Sequence, residues 1–287
     1  MKFMKPLFIL PLLIVAGLQL KAQQQIIFKP AFLPKTSYSI TKEMKTNMNM
    51  GMPAALAAAG GGQDMVMAMS SNSTSLFVTG TRDKNNMIPV KITSKTNNIK
   101  MTMNGQDMPM GSGMPNTTVE VYGKYTPAGQ LQVDSVAGQK INDSVRTVVS
   151  KMIETIQNGI KFPDHPLKVG DVFVQEMPFN IPLPGATDAN KATVKVTYKL
   201  TGIANNIATF DLVENIDVDM DQAVQSQKLK MNISGMGNGS LNYDVTKQFF
   251  TTMTTNLNLT FDMNMSGMNI KGKSVVSSVD KVEITAN

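Results

Sequence analysis

Alternation of apolar and polar residues is the feature that most limits how this chain can fold. The clearest case runs from Thr251 to Met265, where residues on the two sides of an extended strand differ in polarity. Successive side chains of a strand point to opposite faces, so this segment has one apolar and one polar side. The polar side carries Thr and Asn at nearly every position, and the other side carries Met253, Thr255, Leu257, Leu259, Phe261, Met263 and Met265.

The same period of two recurs in weaker form along most of the chain. One-sided alternation is typical of antiparallel sheets that cover a core with one face and meet water with the other. The sequence therefore predicts a mainly β fold, an antiparallel curved sheet or an open β-barrel-like assembly. The further alternating segments are 38–50, 99–103, 119–125, 194–200, 210–220, 229–233 and 275–284.

One amphipathic helix is predicted near residues 143–157. Its apolar residues follow the spacing of a single helical face, and Asp143 and Gly159 suit its two ends. A helix with one apolar face needs an apolar surface to cover, so we expect it to pack on the sheet. The apolar positions are Val145, Val148, Val149, Met152, Ile153 and Ile156.

The first 22 residues have the three parts of a cleavable export signal. Lys2 and Lys5 precede the uncharged apolar run from Leu7 to Leu18, and the small residue Ala22 offers a cleavage site. The run is shorter than the roughly 20 apolar residues that span a bilayer. We expect a periplasmic or secreted protein with no later transmembrane segment. Because no cysteine follows the run, a cysteine-linked lipid anchor is excluded.

Composition excludes several classes of function. The chain has no cysteine and one histidine, which removes thiol nucleophiles and sites built from several histidines. The formal charge of +6 falls to +3 once Lys2, Lys5 and Lys21 leave with the signal, and no basic cluster suits a nucleic acid. The single histidine, His165, has no serine or cysteine partner in a recognisable motif. We therefore expect no catalytic residues, no cofactor and no enzyme activity.

Three aspartates at alternate positions, Asp217, Asp219 and Asp221, invite comparison with a calcium loop. An EF-hand needs glycine at its sixth position and glutamate at its twelfth, where this chain has Gln222 and Lys228. We interpret the aspartates as the solvated side of a strand whose other side is Ile216, Val218 and Met220.

Four glycine-rich or proline-rich segments are expected to interrupt the strands. Three are predicted loops: Gly51 to Gln63, Gly105 to Pro115 and Phe179 to Asn190. The fourth, Gly235 to Gly239, has glycine at every second position and no helix after it. We interpret it as a turn or an irregular strand crossing, and not as a nucleotide-binding loop.

Methionine is unusually frequent, with 24 in the chain, and many occur as Met-x-Met. On a strand this spacing directs both thioethers to the same face. Flexible methionines fill a core or line a cavity for varied apolar ligands. Soft thioethers also suit Cu(I), and this alternative needs accessible residues in or beside loops. Its candidates are Met48, Met50, Met52, Met108 and Met110.

Two motifs carry a resemblance to a known family. The segment from Gly123 to Val133 has the pattern G-x-Y-x-x-x-G-x-L, and the segment from Phe162 to Phe173 follows the predicted helix. This order is similar to that of an uncharacterised exported bacterial family, domain of unknown function 6263. The resemblance implies a β-rich fold and an exported protein, and it implies no chemistry. Phe173 stands where the family pattern leads us to expect tryptophan.

These observations predict a signal peptide over 1–22 and a single β-rich domain over 23–287. The favoured function is a non-catalytic envelope protein that binds an apolar ligand or partner, such as a lipid or a lipoprotein. A Cu(I)-handling protein and a structural or interaction protein of the envelope are the alternatives. The candidate cavity residues are Met253, Leu257, Leu259, Phe261, Val149, Met152 and Ile153.

Overall fold

The computed structural model describes residues 25–51, 64–108, 118–138, 159–181, 190–224, 227–265 and 268–287. Every regular element in these ranges is a β-strand. The expected signal peptide and the helix predicted near 143–157 lie outside them, so both stay predictions. Within the described ranges, no helix has the length and apolar character needed to cross a membrane.

Fourteen strands make up the described structure, and all their pairings are antiparallel. The first seven are β1 (Gln25–Ile26), β2 (Thr36–Met50), β3 (Met65–Thr79), β4 (Ile88–Met103), β5 (Gln106–Asp107), β6 (Thr118–Tyr125) and β7 (Leu131–Gly138). The others are β8 (Leu167–Lys168), β9 (Val172–Ile181), β10 (Asn190–Ala204), β11 (Ile207–Val224), β12 (Gln227–Asp244), β13 (Phe249–Met265) and β14 (Met268–Ala286).

Twelve strands form one open sheet, and β1 and β8 form a separate pair. The sheet consists of two meanders, one from β2 to β7 and one from β9 to β14. They join where the first long strand, β2, pairs with the last strand, β14. The sheet is not closed into a barrel, and β7 and β9 are its two edges. The predicted open, mainly antiparallel β architecture is confirmed.

Strand register divides the side chains between two faces. Tyr38 lies opposite Phe77 on β3 and Ile284 on β14, and these residues define the core face. The alternate residues of β2, such as Lys45 and Asn47, are exposed on the outer face. The one-sided alternation expected from the sequence is therefore present in the sheet.

Two local features keep this division along the strands. A β-bulge at Asn97 of β4 shifts the β3–β4 register by one residue, which keeps the apolar side of β4 on the core face. The Asn97 side-chain amide donates hydrogen bonds to Asn72 and Thr74. The hairpin between β10 and β11 turns at Asn205 and Asn206, both with positive φ. Two such residues in a row suit the tight turn that matches the twist of paired strands.

The core lies over one half of the long strands, which we call the packed half. Its two main clusters of buried residues lie one in each meander, and a third, smaller cluster of Val218 and Met220 lies outside it, near the β11–β12 connection. The first cluster is built around Phe173, Tyr198, Leu200, Phe210, Leu241 and Tyr243, and the second around Tyr38, Phe77, Ile88, Ile92, Val121 and Tyr125.

The segment before β2 links these two clusters. Phe28 packs edge-on against Phe210 in the first cluster, with ring centroids 5.2 Å apart. Four residues later, Phe32 stacks on Tyr125 in the second cluster at 4.2 Å. Between them, the Ala31 backbone N–H donates a hydrogen bond to the carbonyl of Gln248. This short segment therefore adds aromatic contacts that hold both meanders together.

The interpretation of Gly235 to Gly239 as a turn is wrong, because all three glycines lie inside β12. They face the core side opposite Leu259, Leu257 and Thr255 of β13. A Cβ on Gly239 would meet the backbone of Thr254 and Thr255. Glycine is required here because the neighbouring strand approaches too closely for any side chain.

Gly239→Ala should therefore destabilise the protein clearly, by roughly 1–3 kcal/mol, as overpacking does. The matched control is Gly202→Ala in β10, where a Cβ would meet no atom within 4 Å. That change should leave stability unchanged or slightly higher, since alanine restricts the unfolded chain. Urea unfolding measures both, and equal losses would contradict the close approach at β12.

Candidate functional site

Beyond the packed half, the core face continues over a second stretch that we call the far half. It comprises the core-face residues near the β2–β3, β11–β12 and β13–β14 connections. On β13 it contains Leu257, Leu259 and Phe261, which are half-buried on one face as the alternation predicts. Met253 packs against the first core cluster instead. The other three candidate cavity residues, Val149, Met152 and Ile153, lie outside the described residues.

The row of Leu257, Leu259 and Phe261, which we call the β13 ladder, rests directly on glycines of the two neighbouring strands. Leu257 and Leu259 lie over Gly237 and Gly235 of β12, and Phe261 lies over Gly272 of β14. A side chain at any of these glycines would collide with the ladder. The glycines therefore let large apolar side chains lie flat against the sheet.

On β2, β3 and β4 the far half is made almost entirely of methionine. Met48 lies opposite Met67, and Met67 lies opposite Met103. The adjoining rows pair Met50 with Met65 and Met69 with Met101. All are half-buried. We call this group the methionine patch: Met48, Met50, Met65, Met67, Met69, Met101 and Met103.

The patch differs sharply from the packed half of the same three strands. There the core face has aromatic and β-branched residues, such as Tyr38, Phe77 and Ile92, which suit a pleated surface better than methionine does. The exchange of stiff side chains for flexible ones coincides with the change from full to partial burial. The patch is thus an adaptable apolar surface that remains accessible.

The five methionines that the sequence offers as Cu(I) ligands do not all lie in one place. Met48 and Met50 lie at the end of β2 and belong to the patch. Met108 is exposed, and its N–H donates to the carbonyl of Met101 at 2.9 Å, beside the patch. Met52 and Met110 lie outside the described residues.

A polar strip separates the two halves on β2, β13 and β14. Lys42 Nζ lies 2.9 Å from a carboxylate oxygen of Asp280, which is buried. One residue pair further along the core face, the hydroxyls of Thr255 and Ser278 lie 3.0 Å apart. These groups satisfy one another, as buried polar groups must. The strip therefore marks where the tightly packed core ends.

Among the described residues, two buried side-chain oxygens lack a hydrogen-bond partner, those of Tyr243 and Ser274. The Ser274 side chain is 4% exposed, its Oγ has no hydrogen-bond partner, and it lies opposite Met48. The Glu214 side chain is 8% exposed and lies opposite Gly237. Its burial raises the pKa of the carboxyl above the ordinary value.

The remaining sequence candidates do not form a site. His165 is exposed, and its Nδ1 lies 3.2 Å from the carbonyl of Pro166. Asp217, Asp219 and Asp221 are exposed on the outer face of β11, opposite the half-buried or buried side of the strand, so that interpretation is confirmed. Over the described ranges, no group of three His, Cys, Asp or Glu residues is placed to hold a metal ion.

An open concavity of about 560 Å³ lies at the far end of the sheet. Its lining includes the polar residues Asn49, Asp64 and Lys271 together with Phe261. The Lys271 ammonium lies 3.0 Å from the Asp262 carboxylate, so the two charges neutralise each other. A lining whose charges are paired does not suit a strongly charged ligand.

Sequence reasoning missed β3 as a long strand and therefore missed most of the patch. The signal was present, because Met65, Met67 and Met69 repeat the Met-x-Met spacing of β2 and β4. What the spacing alone does not supply is the register that places the three strands side by side.

Comparison with known proteins gives little further guidance. No protein-family model matches the chain, and no curated protein matches it. A solved structure that concerns lipid–protein interactions in lipovitellin is similar to 89% of this chain, with a TM-score of 0.47 and 12% sequence identity. The match spans only 26% of that chain. A similarity this low assigns no function.

Replacing Glu214 by glutamine tests the cost of its burial. Because the folded state holds the proton more firmly than the unfolded state, ionisation costs stability as the pH rises above the ordinary pKa of 4.5. Glu214→Gln should therefore raise the urea midpoint at neutral pH, and the gain should shrink as the pH falls below 4.5. The control Glu43→Gln, on the exposed outer face of β2, should change little. A lower midpoint for Glu214→Gln at neutral pH would contradict this account.

Proposed function

We propose that this chain is an exported, non-catalytic protein of the cell envelope that binds an apolar ligand on the far half of its core face. The ligand class we favour is an acyl chain, carried by a lipid or a lipoprotein. The observation that carries the proposal is the methionine patch, an apolar surface that is only half-buried while the same strands are fully packed at their other half.

Partial burial of so many neighbouring apolar side chains leaves a driving force for binding. Contiguous accessible apolar surface marks interaction sites, because removing it from water is favourable. Methionine suits a flexible and variable ligand, since its unbranched side chain adjusts to irregular shapes. The ladder of Leu257, Leu259 and Phe261 extends the same face across β14 into the second meander.

The Ser274 hydroxyl adds a polar feature beside this surface. It is buried next to Met48 with no described partner, and an unpaired buried hydroxyl is costly. A ligand with an ester or carboxyl oxygen near its chain would accept a hydrogen bond from it. This arrangement favours an amphiphile over a plain hydrocarbon.

The helix predicted near 143–157 belongs to the same proposal. Its apolar face, with Val149, Met152 and Ile153, would pack on the core face and enclose the ligand between helix and sheet. The support is the amphipathic spacing of the segment and the apolar surface that the far half offers.

Export and the lack of catalysis are proposed on the sequence features given above. The basic and apolar start of the chain suits a signal peptide. The single histidine, His165, lies exposed, with its Nδ1 beside the carbonyl of Pro166.

Glutamine substitutions test the binding surface, because glutamine resembles methionine in shape and is polar. The double variant Met48→Gln and Met67→Gln should weaken binding of a fluorescent long-chain fatty acid by about tenfold or more, since tenfold corresponds to about 1.4 kcal/mol and burying one methionine contributes about 1.5–3 kcal/mol. Fluorescence titration measures the affinity.

The matched control is Met236→Gln, because Met236 lies on the outer face and is 62% exposed. It should leave the affinity unchanged. If the wild type does not bind the fatty acid, or if both variants bind it as the wild type does, the proposed function fails.

A further inference from the structure

The structure assigns a second property to the methionine patch: we propose that Met48, Met67 and Met103 together bind one Cu(I) ion. The three residues occupy a single row across β2, β3 and β4. This site differs from an apolar ligand site in chemistry, and neither proposal depends on the other.

The row brings three thioethers within reach of one ion. Directly opposed residues of antiparallel strands have Cβ atoms about 4.5–5.5 Å apart. Met67 occupies the middle position, with Met48 on one side and Met103 on the other. Because methionine has three rotatable bonds beyond its backbone, the three sulfur atoms can converge above the central strand without any change in the backbone.

The ligand set selects the metal. Thioether sulfur is soft and uncharged, and it favours Cu(I) over the hard divalent ions that prefer carboxylate or carbonyl oxygen. On β3 and β4, the residues next to this row on the core face are again methionines, Met65, Met69 and Met101. On these two strands, the core-face side chains around the row therefore offer thioether sulfur and no carboxylate.

Exposure of the row gives the ion a path to the sulfur atoms. All three side chains are half-buried, so solvent reaches them without opening the sheet. At the far end of β4, Met103 precedes a turn at Asn104 and Gly105, where the side chains are exposed. A half-buried site of neutral ligands suits a monovalent cation, because little charge has to be desolvated.

The second meander contains an internal comparison. Met220, Met231 and Met263 also form a row across three neighbouring strands on the core face. This row packs among carbon side chains, since Met220 is buried together with Val218 and the half-buried Ile233. It has the same residue type and spacing, but Met220 is only 2% exposed while Met231 and Met263 are half-buried. One of its three sulfur atoms is therefore closed to solvent, so the row should not bind the ion.

Leucine substitutions separate sulfur chemistry from apolar packing. The variant Met48→Leu, Met67→Leu and Met103→Leu keeps volume and hydrophobicity, a class of change that usually costs less than about 1.5 kcal/mol. Cu(I) alone serves as the probe, in competition with a chromogenic Cu(I) chelator in the absence of oxygen. The wild type should take Cu(I) from the chelator at one ion per chain. The triple variant should lose affinity by about a hundredfold or more, because changes that merely misorient a ligand already cost up to that much.

The control variant replaces Met220, Met231 and Met263 by leucine and should bind Cu(I) as the wild type does. Circular dichroism confirms that each variant is folded, and the double variant Met48→Leu and Met67→Leu serves if the triple variant is not. The inference is overturned if the wild type fails to compete, if the first triple variant still binds, or if the control loses binding instead. Fatty-acid binding should survive the leucine changes, so loss of either activity is seen separately.

Discussion

Pairing between β2 and β14 is the interaction on which the rest of the structure depends. Thr36 to Met50 pairs in register with Gly272 to Ala286, which lie at the opposite end of the chain. This pairing merges two meanders into one sheet and lets their apolar sides form a single continuous face. Without it, the β13 ladder and the methionine patch would be separate surfaces, each with an unpaired long strand beside it.

The continuous core face differs in how tightly it is packed along its length. At one half, aromatic clusters and the Phe28 to Phe32 segment bury it completely. The polar strip with Lys42, Asp280 and Ser278 ends this region. Beyond the strip, glycines let large side chains lie flat, and methionine replaces stiffer residues. The first half therefore stabilises the fold, and the second half, apart from the small buried cluster of Val218 and Met220, presents an adaptable surface.

Period-two alternation was sufficient to predict the open antiparallel architecture and the inward face of β13, because that signal is local. Register between strands distant in sequence was not predictable, since many pairings satisfy the same alternation. That is why the row of Met48, Met67 and Met103 emerged only from the structure. Gly235 to Gly239 was misread because glycine commonly marks turns, whereas here the close approach of β13 requires it.

Native mass spectrometry of the protein purified from its own cell envelope tests the central claim most directly. The account predicts a population whose mass exceeds that of the polypeptide by an acyl-bearing molecule, which is released when the protein is denatured. The same preparation of the Met48→Gln and Met67→Gln variant should lack that excess. A wild-type protein that carries no such molecule, while remaining folded, would contradict the claim that the far half of the core face binds an apolar ligand.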